Sequence, residues 1–230
     1  MPALAGDSRT LLLLHGRNTM ALPFVEAPAV VWSARIKRAM DVVISMSALL
    51  VLAPLLCLVA AAIRLTSPGP LLYRQWRQGR DGVPFEILKF RTLDSEGETG
   101  PFRQVLPGDP RITQVGRLLR RSRLDELPQF WNVLRGEMSL VGPRPHAVPH
   151  GAHCAALLPA YNLRLRAKPG MTGLAQVSGL IGPIADQDDL QRRLDKDLAY
   201  IRNWSLGLDL SIMLRTPRLW LARIGDDAGA

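Results

Sequence analysis

Val42–Ile63, VVISMSALLVLAPLLCLVAAAI, is the longest stretch of the chain without a charge. As a helix its roughly 22 residues measure about 33 Å, enough to cross a bilayer core of about 30 Å. Arg35, Lys37 and Arg38 precede the run, and Arg64, Arg74, Arg77 and Arg80 follow it. Positive charge prefers the cytoplasmic side, and here both ends claim it. Pro54 lies near the middle, where it removes a backbone donor and crowds the preceding turn. Three readings follow: a buried helix of a soluble fold, a kinked span, or a helix that breaks at Ala53-Pro54 and returns to the side it entered. The third satisfies both flanks at once and is the one the sequence favours.

Around this run, 230 residues accommodate one domain with a short appendage. Hydrophobic residues at 47% and charged residues at 21% exclude a wholly disordered chain. Cys57 and Cys154 cannot build a disulfide framework, so nothing points to an oxidised, secreted protein. Leu11–Leu14 is too short for the apolar region of a signal peptide. The net charge of +9 implies acidic partners: nucleic acid, phosphorylated small molecules or anionic headgroups. Only Lys37, Lys89, Lys168 and Lys196 are lysines, and the arginine fork suits phosphate. A GC-rich coding composition explains the same bias, so the bias alone decides little.

Residues 1–34 read as a variable extension and 35–66 as the membrane element, leaving 67–230 as the main domain. Ser67-Pro68-Gly69-Pro70 ends any helix. Leu71–Arg77 and Phe85–Arg91 enclose Gly79-Arg80-Asp81-Gly82 and predict a β-hairpin. Leu93–Asp109 is a polar loop. Helices are expected over Ile112–Arg121 and Glu126–Leu134, the second stopped by Gly136. Gly142-Pro143-Arg144-Pro145 reads as a stiff extended segment. Leu190, Leu194, Leu198 and Ile201 recur at helical spacing, and Leu208–Leu214 begins a last helix running to Trp220. The fold class is therefore mainly α with a short β-hairpin (α+β). Trp204 and Trp220 fit a headgroup boundary or an ordinary core equally well.

The densest chemical signal is Gly116–Gln129, GRLLRRSRLDELPQ. On a helix Arg117, Arg120 and Arg121 take neighbouring faces while Leu118 and Leu119 can turn inward. Arg123 leads directly to Asp125 and Glu126. Adjacent carboxylates beside guanidiniums suit phosphate chemistry, because arginines neutralise substrate charge while a carboxylate holds Mg²⁺ or attacks phosphorus. Asp125 also fits a plain helix cap, and the two readings are compatible because helix N-termini attract phosphate. Prolines on both sides of Arg144 fix its backbone. His146, His150, His153 and Cys154 have a spacing that zinc can use, but Pro149 and Gly151 favour a flexible loop. Asp186, Asp188 and Asp189 look like a solvated helix start.

Taken together, these residues resemble the bacterial sugar transferases, the small monotopic polyprenyl-phosphate phosphoglycosyl transferases. The resemblance runs from about Lys37 to Pro217. Its blocks are KRAMDVVIS, SPGPLLYRQWRQGRDGVPFEILKFRTL, DPRITQVGRLLRRSRLDELPQFWNVLRGEMSLVGPRP, KPGMTGLAQVSG and DLAYIRNWSLGLDLSIMLRT. The resemblance implies transfer of sugar-1-phosphate from a UDP-sugar to undecaprenyl phosphate with release of UMP. It implies Asp125 as nucleophile and Glu126 as its dyad partner, the two associated with Mg²⁺. An aspartate with a reference pKa of about 3.9 is already ionised at neutral pH and needs no base. Arg120 and Arg144 match arginines placed near the phosphates, and Arg111 and Arg117 match the basic motif before the dyad. Lys89 and Arg91 match Lys-Phe-Arg at the hairpin end, and Asp197 and Tyr200 match an acidic-aromatic pair in the C-terminal helix. The fold implied is a re-entrant helix-break-helix around Pro54, packed on a membrane-associated catalytic domain with amphipathic interfacial helices. Its place would be the cytoplasmic face of the bacterial inner membrane. The partners implied are UDP-sugar, undecaprenyl phosphate and inner-membrane lipid, with a homodimer and downstream glycosyltransferases as further candidates and no nucleic acid.

Two departures from the family pattern stand out. Ala53 replaces the serine that often precedes the proline of the helix break. Val177-Ser178-Gly179 is followed by Leu180-Ile181-Gly182-Pro183 rather than by an arginine, leaving Arg164, Arg166 and Arg192 as candidates to supply the cation. His146-Ala147-Val148 resembles the hexose-phosphate-transferring branch, a pointer to glucose or galactose. The rivals are a membrane-surface scaffold of the same fold without turnover and a tethered nucleic-acid binder. Aromatics at only 6% and the lack of a nucleic-acid motif weigh against the second.

Overall fold

The computed structural model describes residues 28–94 and 108–226, with side chains for 33–94 and 108–218. Residues 1–27 of the expected extension, residues 95–107 of the polar loop and the side chain of Trp220 lie outside the described residues.

α1 runs over Pro28–Thr66 and stays helical through Pro54. The break predicted at Ala53-Pro54 therefore does not unwind the chain. A proline deletes one i→i−4 hydrogen bond, and the flanking turns keep theirs. The two ends of α1 dock on the rest of the protein by different means. At the N-terminal side Lys37 pairs with Asp209 at 2.6 Å, and Arg38 donates to the carbonyls of Val133 and Leu134 at 2.6 and 2.7 Å. Asp41 accepts from the Leu140 amide at 3.0 Å and the Ser139 hydroxyl at 3.1 Å. At the C-terminal side Val59 and Ile63 are buried against Phe90 and Leu119. Between these anchors the helix presents bare apolar surface, with Val43, Leu50 and Leu58 exposed and Val51 77% exposed. Among the described residues, one helix is long and apolar enough to cross a membrane, and it is this one.

The hairpin forms as its sequence predicts, one residue offset. β1 (Leu72–Gln78) and β2 (Pro84–Phe90) are antiparallel, from Leu72 opposite Phe90 to Gln78 opposite Pro84. The turn between them needs left-handed backbone at Asp81 (φ 56°) and Gly82 (φ 78°). Alternation along β2 sends Phe85 and Ile87 into the main core and aims Lys89 along the same face.

α2 (Gln114–Ser122) and α3 (Gln129–Arg135) follow, and α3 ends at Gly136 with φ 83°. Arg38 meets two carbonyls of the last turn of α3, that of Leu134 and that of Val133, which also accepts from the Gly136 amide at 2.9 Å. β3 (Ser139–Val141) then pairs in parallel with β4 (Gly170–Thr172), a pairing the sequence does not announce. Here two glycines are obligatory. A Cβ on Gly142 would lie 2.3 Å from the Lys168 carbonyl oxygen, and one on Gly170 would lie 2.1 Å from the Gly142 nitrogen. Only bare backbone lets the Lys-Pro-Gly strand press on the Gly-Pro-Arg-Pro segment.

α4 covers Val148–Leu157, a stretch expected to be a flexible loop. Pro149 sits in the first turn, where its missing N–H costs nothing, and the buried Gly151 lets the helix pack closely. α5 (Leu174–Val177), α6 (Gln187–Arg202) and α7 (Leu206–Asp226) complete the chain. Asp186 caps α6 by accepting from the Asp189 amide at 2.7 Å, so the acidic run is a helix start, as expected. The main core gathers Phe85, Ile87, Val133, Met138, Val141 and Ile212, each contributing about 1.5–3 kcal/mol by burial.

Candidate active site

α2 is capped at its start by Thr113, whose hydroxyl accepts from the Gly116 amide at 2.9 Å. It ends at Arg123, which adopts a left-handed conformation, φ 58° and ψ 13°. That geometry costs a residue with a Cβ about 1–2 kcal/mol and turns the chain sharply. One 3₁₀ turn, Leu124–Glu126, fills the gap before α3. Asp125 and Glu126 therefore sit on a tight corner between two helices, 7% and 8% exposed. The capping reading of Asp125 does not hold, because α3 starts only at Gln129 behind Pro128 and has no side-chain cap.

The two carboxylates have opposite surroundings. Glu126 Oε1 accepts from Lys89 Nζ and from Arg144 Nη2, both at 2.7 Å, with Arg123 Nη1 at 3.6 Å. Burial pushes its carboxyl up, but Arg144, Lys89 and Arg123 together outweigh burial and hold it well below the usual range. Asp125 Oδ1 is buried with no hydrogen-bond partner among the described residues. Burial raises the Asp125 pKa, and Glu126 adds to the rise while Lys89, Arg123 and Arg120 oppose it. One acid is thus firmly ionised and neutralised, while its neighbour is desolvated with a bare oxygen.

Lys89 arrives from β2, whose position on α3 is fixed by Asn132. That side chain accepts from the Leu88 amide at 3.0 Å and donates to the Glu86 carbonyl at 2.8 Å. Arg144 is delivered by the proline-flanked segment, and its own carbonyl accepts from Arg164 Nη2 at 2.7 Å. Arg164 is in turn clamped by Asp197 through contacts of 2.8 and 2.7 Å. Arg77 donates to the Pro145 carbonyl at 3.1 Å, and burial together with the Arg144 charge lowers its pKa to about 10. Arg120 donates to the Thr92 hydroxyl at 2.8 Å.

Of the residues the sequence points to, Lys89 and Arg144 meet the dyad directly and Arg120 acts on it through its charge. Arg111 pairs with Asp109 at 2.6 Å beside the start of α2, and Arg117 is exposed on α2. Arg91 is 1% exposed and donates to Pro68 and Ser67, tying the hairpin end to the exit of α1. Tyr200 donates to the Val141 carbonyl and to Asp209 inside the core. Asp197 reaches the dyad only through Arg164 and Arg144. Arg77 and Thr92 are the partners that sequence reasoning did not place at the site, and Arg164, offered there as a substitute cation, holds the Arg144 carbonyl and Asp197 instead. No local spacing marks them, because their roles are set by carbonyls and hydroxyls from other elements.

The loop after Val177-Ser178-Gly179 does receive a guanidinium. It comes from Arg193 on α6, which donates to the carbonyls of Gly182 and Pro183 at 2.9 and 3.1 Å and pairs with Asp189 at 2.8 Å. Arg192 points outward and Arg164 is engaged elsewhere. A shallow pocket open to solvent lies between this loop and Arg144, with His146, Tyr161, Arg164 and Gln176 on its walls.

Comparison with known proteins finds that the model of the bacterial sugar transferase family matches residues 32–223. A UDP-glucose:undecaprenyl-phosphate glucose-1-phosphate transferase of Escherichia coli K12 is 42% identical over 218 residues, which is 93% of this chain and 47% of that protein. A protein of the same description from Caulobacter vibrioides is 51% identical over 180 residues, 78% of this chain and 67% of that one. The exopolysaccharide production protein PSS of Rhizobium leguminosarum is 44% identical over 185 residues, 79% of this chain and 92% of that one. The chain thus spans about half the length of the first relative and nearly all of the third.

Proposed function

This chain belongs to the bacterial sugar transferases, and on that premise we propose that it transfers a hexose-1-phosphate from a UDP-sugar to undecaprenyl phosphate, with Asp125 as nucleophile. The observation that carries the reading is the asymmetric dyad, with Glu126 neutralised by Lys89 and Arg144 and Asp125 Oδ1 buried and free. Lys89, Arg120, Arg123, Arg144 and Arg77 surround two carboxylates, so positive charge is in excess and suits the phosphates of donor and acceptor. The Asp125 oxygen attacks the phosphorus that bears the sugar. The phosphoanhydride bond breaks, and UMP leaves with its electron pair. A phosphate oxygen of undecaprenyl phosphate then attacks the same phosphorus, breaking the acyl phosphate and restoring the carboxylate. Desolvation favours the first step, since a carboxylate stripped of water has no shell to shed. UDP-glucose is the first donor to try, given the names of the relatives, and the product starts a lipid-linked glycan.

Magnesium suits this pair. Asp125 Oδ1 is unpartnered, and Glu126 Oε2 has one long contact, 3.5 Å to Arg144 Nη1. Mg²⁺ binds through one or two carboxylates plus substrate phosphates and water. When bound, it would neutralise charge on the donor's diphosphate.

The anchoring of α1 supports a re-entrant membrane element bent at Pro54, with the catalytic domain on the cytoplasmic face. A spanning α1 would place Lys37–Asp41 and Val59–Ile63 on opposite sides of about 30 Å of hydrocarbon, yet both pack on the same body. Single cysteines at Ile36→Cys and Leu65→Cys in a Cys57→Ser/Cys154→Ser background are expected to react only from the cytoplasmic side. Labelling of either from the other side would establish a span.

The chemical reading is tested by incubating the protein with UDP-glucose radiolabelled in the sugar, without lipid acceptor. Label is expected on the protein with one UMP released per site, and Asp125→Asn is expected to remove both. Normal UMP turnover by Asp125→Asn would overturn the assignment.

A further inference from the structure

The geometry points to a second site, a soft divalent-metal centre for which zinc is the best match, formed by His146, His150 and Cys154. The three side chains each offer one ligand atom, and these atoms lie within 4.8 Å of one another. His150 and Cys154 are four residues apart on α4 and share a face, with His150 Nε2 3.6 Å from Cys154 Sγ. Zinc bonds of about 2.0–2.1 Å to nitrogen and 2.3 Å to sulfur, at a tetrahedral angle, put those two atoms about 3.6 Å apart. The pair is thus already at the spacing that an ion requires. His146 approaches from two residues before the helix. Its Nδ1 is 2.5 Å from the Tyr161 hydroxyl, which leaves Nε2 for the ion. A ligating histidine usually holds its second nitrogen in such an outer hydrogen bond, which fixes the ring. One thiolate and two imidazoles select zinc or cobalt over magnesium or calcium.

The surroundings permit a cation although guanidiniums are near. Arg144 is paired with Glu126, Arg164 with Asp197 and Arg193 with Asp189, which leaves Arg77, donating to the Pro145 carbonyl, as the nearby guanidinium whose charge the Cys154 thiolate offsets at the ion. His146 and Tyr161 line the open pocket, so an ion has a way in. His153 is exposed and outside the cluster. The centre would staple α4 to the residue two past Arg144, the guanidinium that holds Glu126. It does not depend on the chemistry of the dyad.

The test uses the full chain in detergent with Cys57→Ser, which leaves Cys154 as the sole thiol. After loading with Zn²⁺ and desalting, elemental analysis is expected to find one zinc per chain. Co²⁺ is expected to give a thiolate-to-metal absorption band in the near ultraviolet together with the visible bands of a tetrahedral ion. Both signals should vanish in Cys154→Ser and in His150→Ala. A third measurement needs no change at the cluster: Zn²⁺ should slow alkylation of Cys154 several-fold. No retained zinc, zinc retained equally by Cys154→Ser, or alkylation indifferent to Zn²⁺ would each overturn the site. None of these readouts involves sugar transfer, so their failure is separable from failure of the proposed reaction.

Discussion

Asp197→Asn separates a positioning role from a substrate-binding one. Asp197 and Arg164 are 6% and 4% exposed, and the carboxylate meets two guanidinium nitrogens at 2.8 and 2.7 Å. Asparagine keeps the shape and one acceptor oxygen but leaves the Arg164 charge buried without a counterion. Removing one partner of a buried pair costs about 3–5 kcal/mol, and the retained acceptor puts this case near about 3. For a chain of this size each kcal/mol moves Tm by about 2–4 °C, so a fall of about 6–12 °C is expected. Arg164 also donates to the carbonyl of Arg144, so loosening it displaces the guanidinium that holds Glu126. UMP release should drop in parallel with the loss of that geometry. The assay pairs thermal unfolding in detergent with UMP release across donor concentrations. The double variant Arg164→Met/Asp197→Leu should recover Tm, since apolar pairs replace buried ion pairs well, while activity stays low because the Arg144 carbonyl has lost its donor. If Asp197→Asn keeps its full Tm and yet loses all activity, Asp197 touches substrate and the positioning argument is wrong.

Three further outcomes are expected. Lys89→Met removes a charged hydrogen bond to Glu126, worth about 1.5–3 kcal/mol, so kcat/KM should fall roughly tenfold to a hundredfold; unchanged kinetics would show that Glu126 needs only Arg144. The pKa of Asp125 is raised, and with Asp125 as the proposed nucleophile only its ionised form would attack, so activity should be lost as pH falls through a value above that of free aspartate. Glu126 stays ionised over that range, so the acid limb of log kcat/KM should have unit slope, and a slope of two would mean that both acids titrate together. Lys37→Met leaves Asp209, fully buried, with only Tyr200 and Trp204 as side-chain partners among the described residues, and should cost about 3–5 kcal/mol in denaturant unfolding, largely recovered in Lys37→Met/Asp209→Asn.

What the sequence discloses and what it hides divide along the range of the interactions. The apolar run, the hairpin, the stop at Gly136 and the helix behind Asp186 are written in neighbouring residues, and they form. So is the dyad with Arg144, because charge and proline flanks mark those positions, whereas Lys89 is pointed to by the family resemblance alone. The β3–β4 pair is not legible, since three residues carry no period and their partner lies about thirty positions away. α4 is hidden by Pro149 and Gly151, which read as breakers until burial shows that one is in a first turn and the other is a contact. Arg91, Asp197 and Tyr200 are pointed to as ligands by the family resemblance, yet each is bound to another part of the fold. Whether a polar group serves substrate or scaffold is decided by what stands opposite it, and a linear pattern does not record that.

The two-point docking of α1 has one more consequence. A helix that enters and leaves through one leaflet has no far headgroup layer to match, so membrane thickness exerts little pull on it, whereas a spanning helix must tilt or stretch the lipid when lengths disagree. On the proposed re-entrant reading, the stand-off between residue 125 and the interface is set by Lys37, Asp41 and Ile63 rather than by lipid chain length. Transfer rates should hold steady across vesicles made from shorter and longer acyl chains.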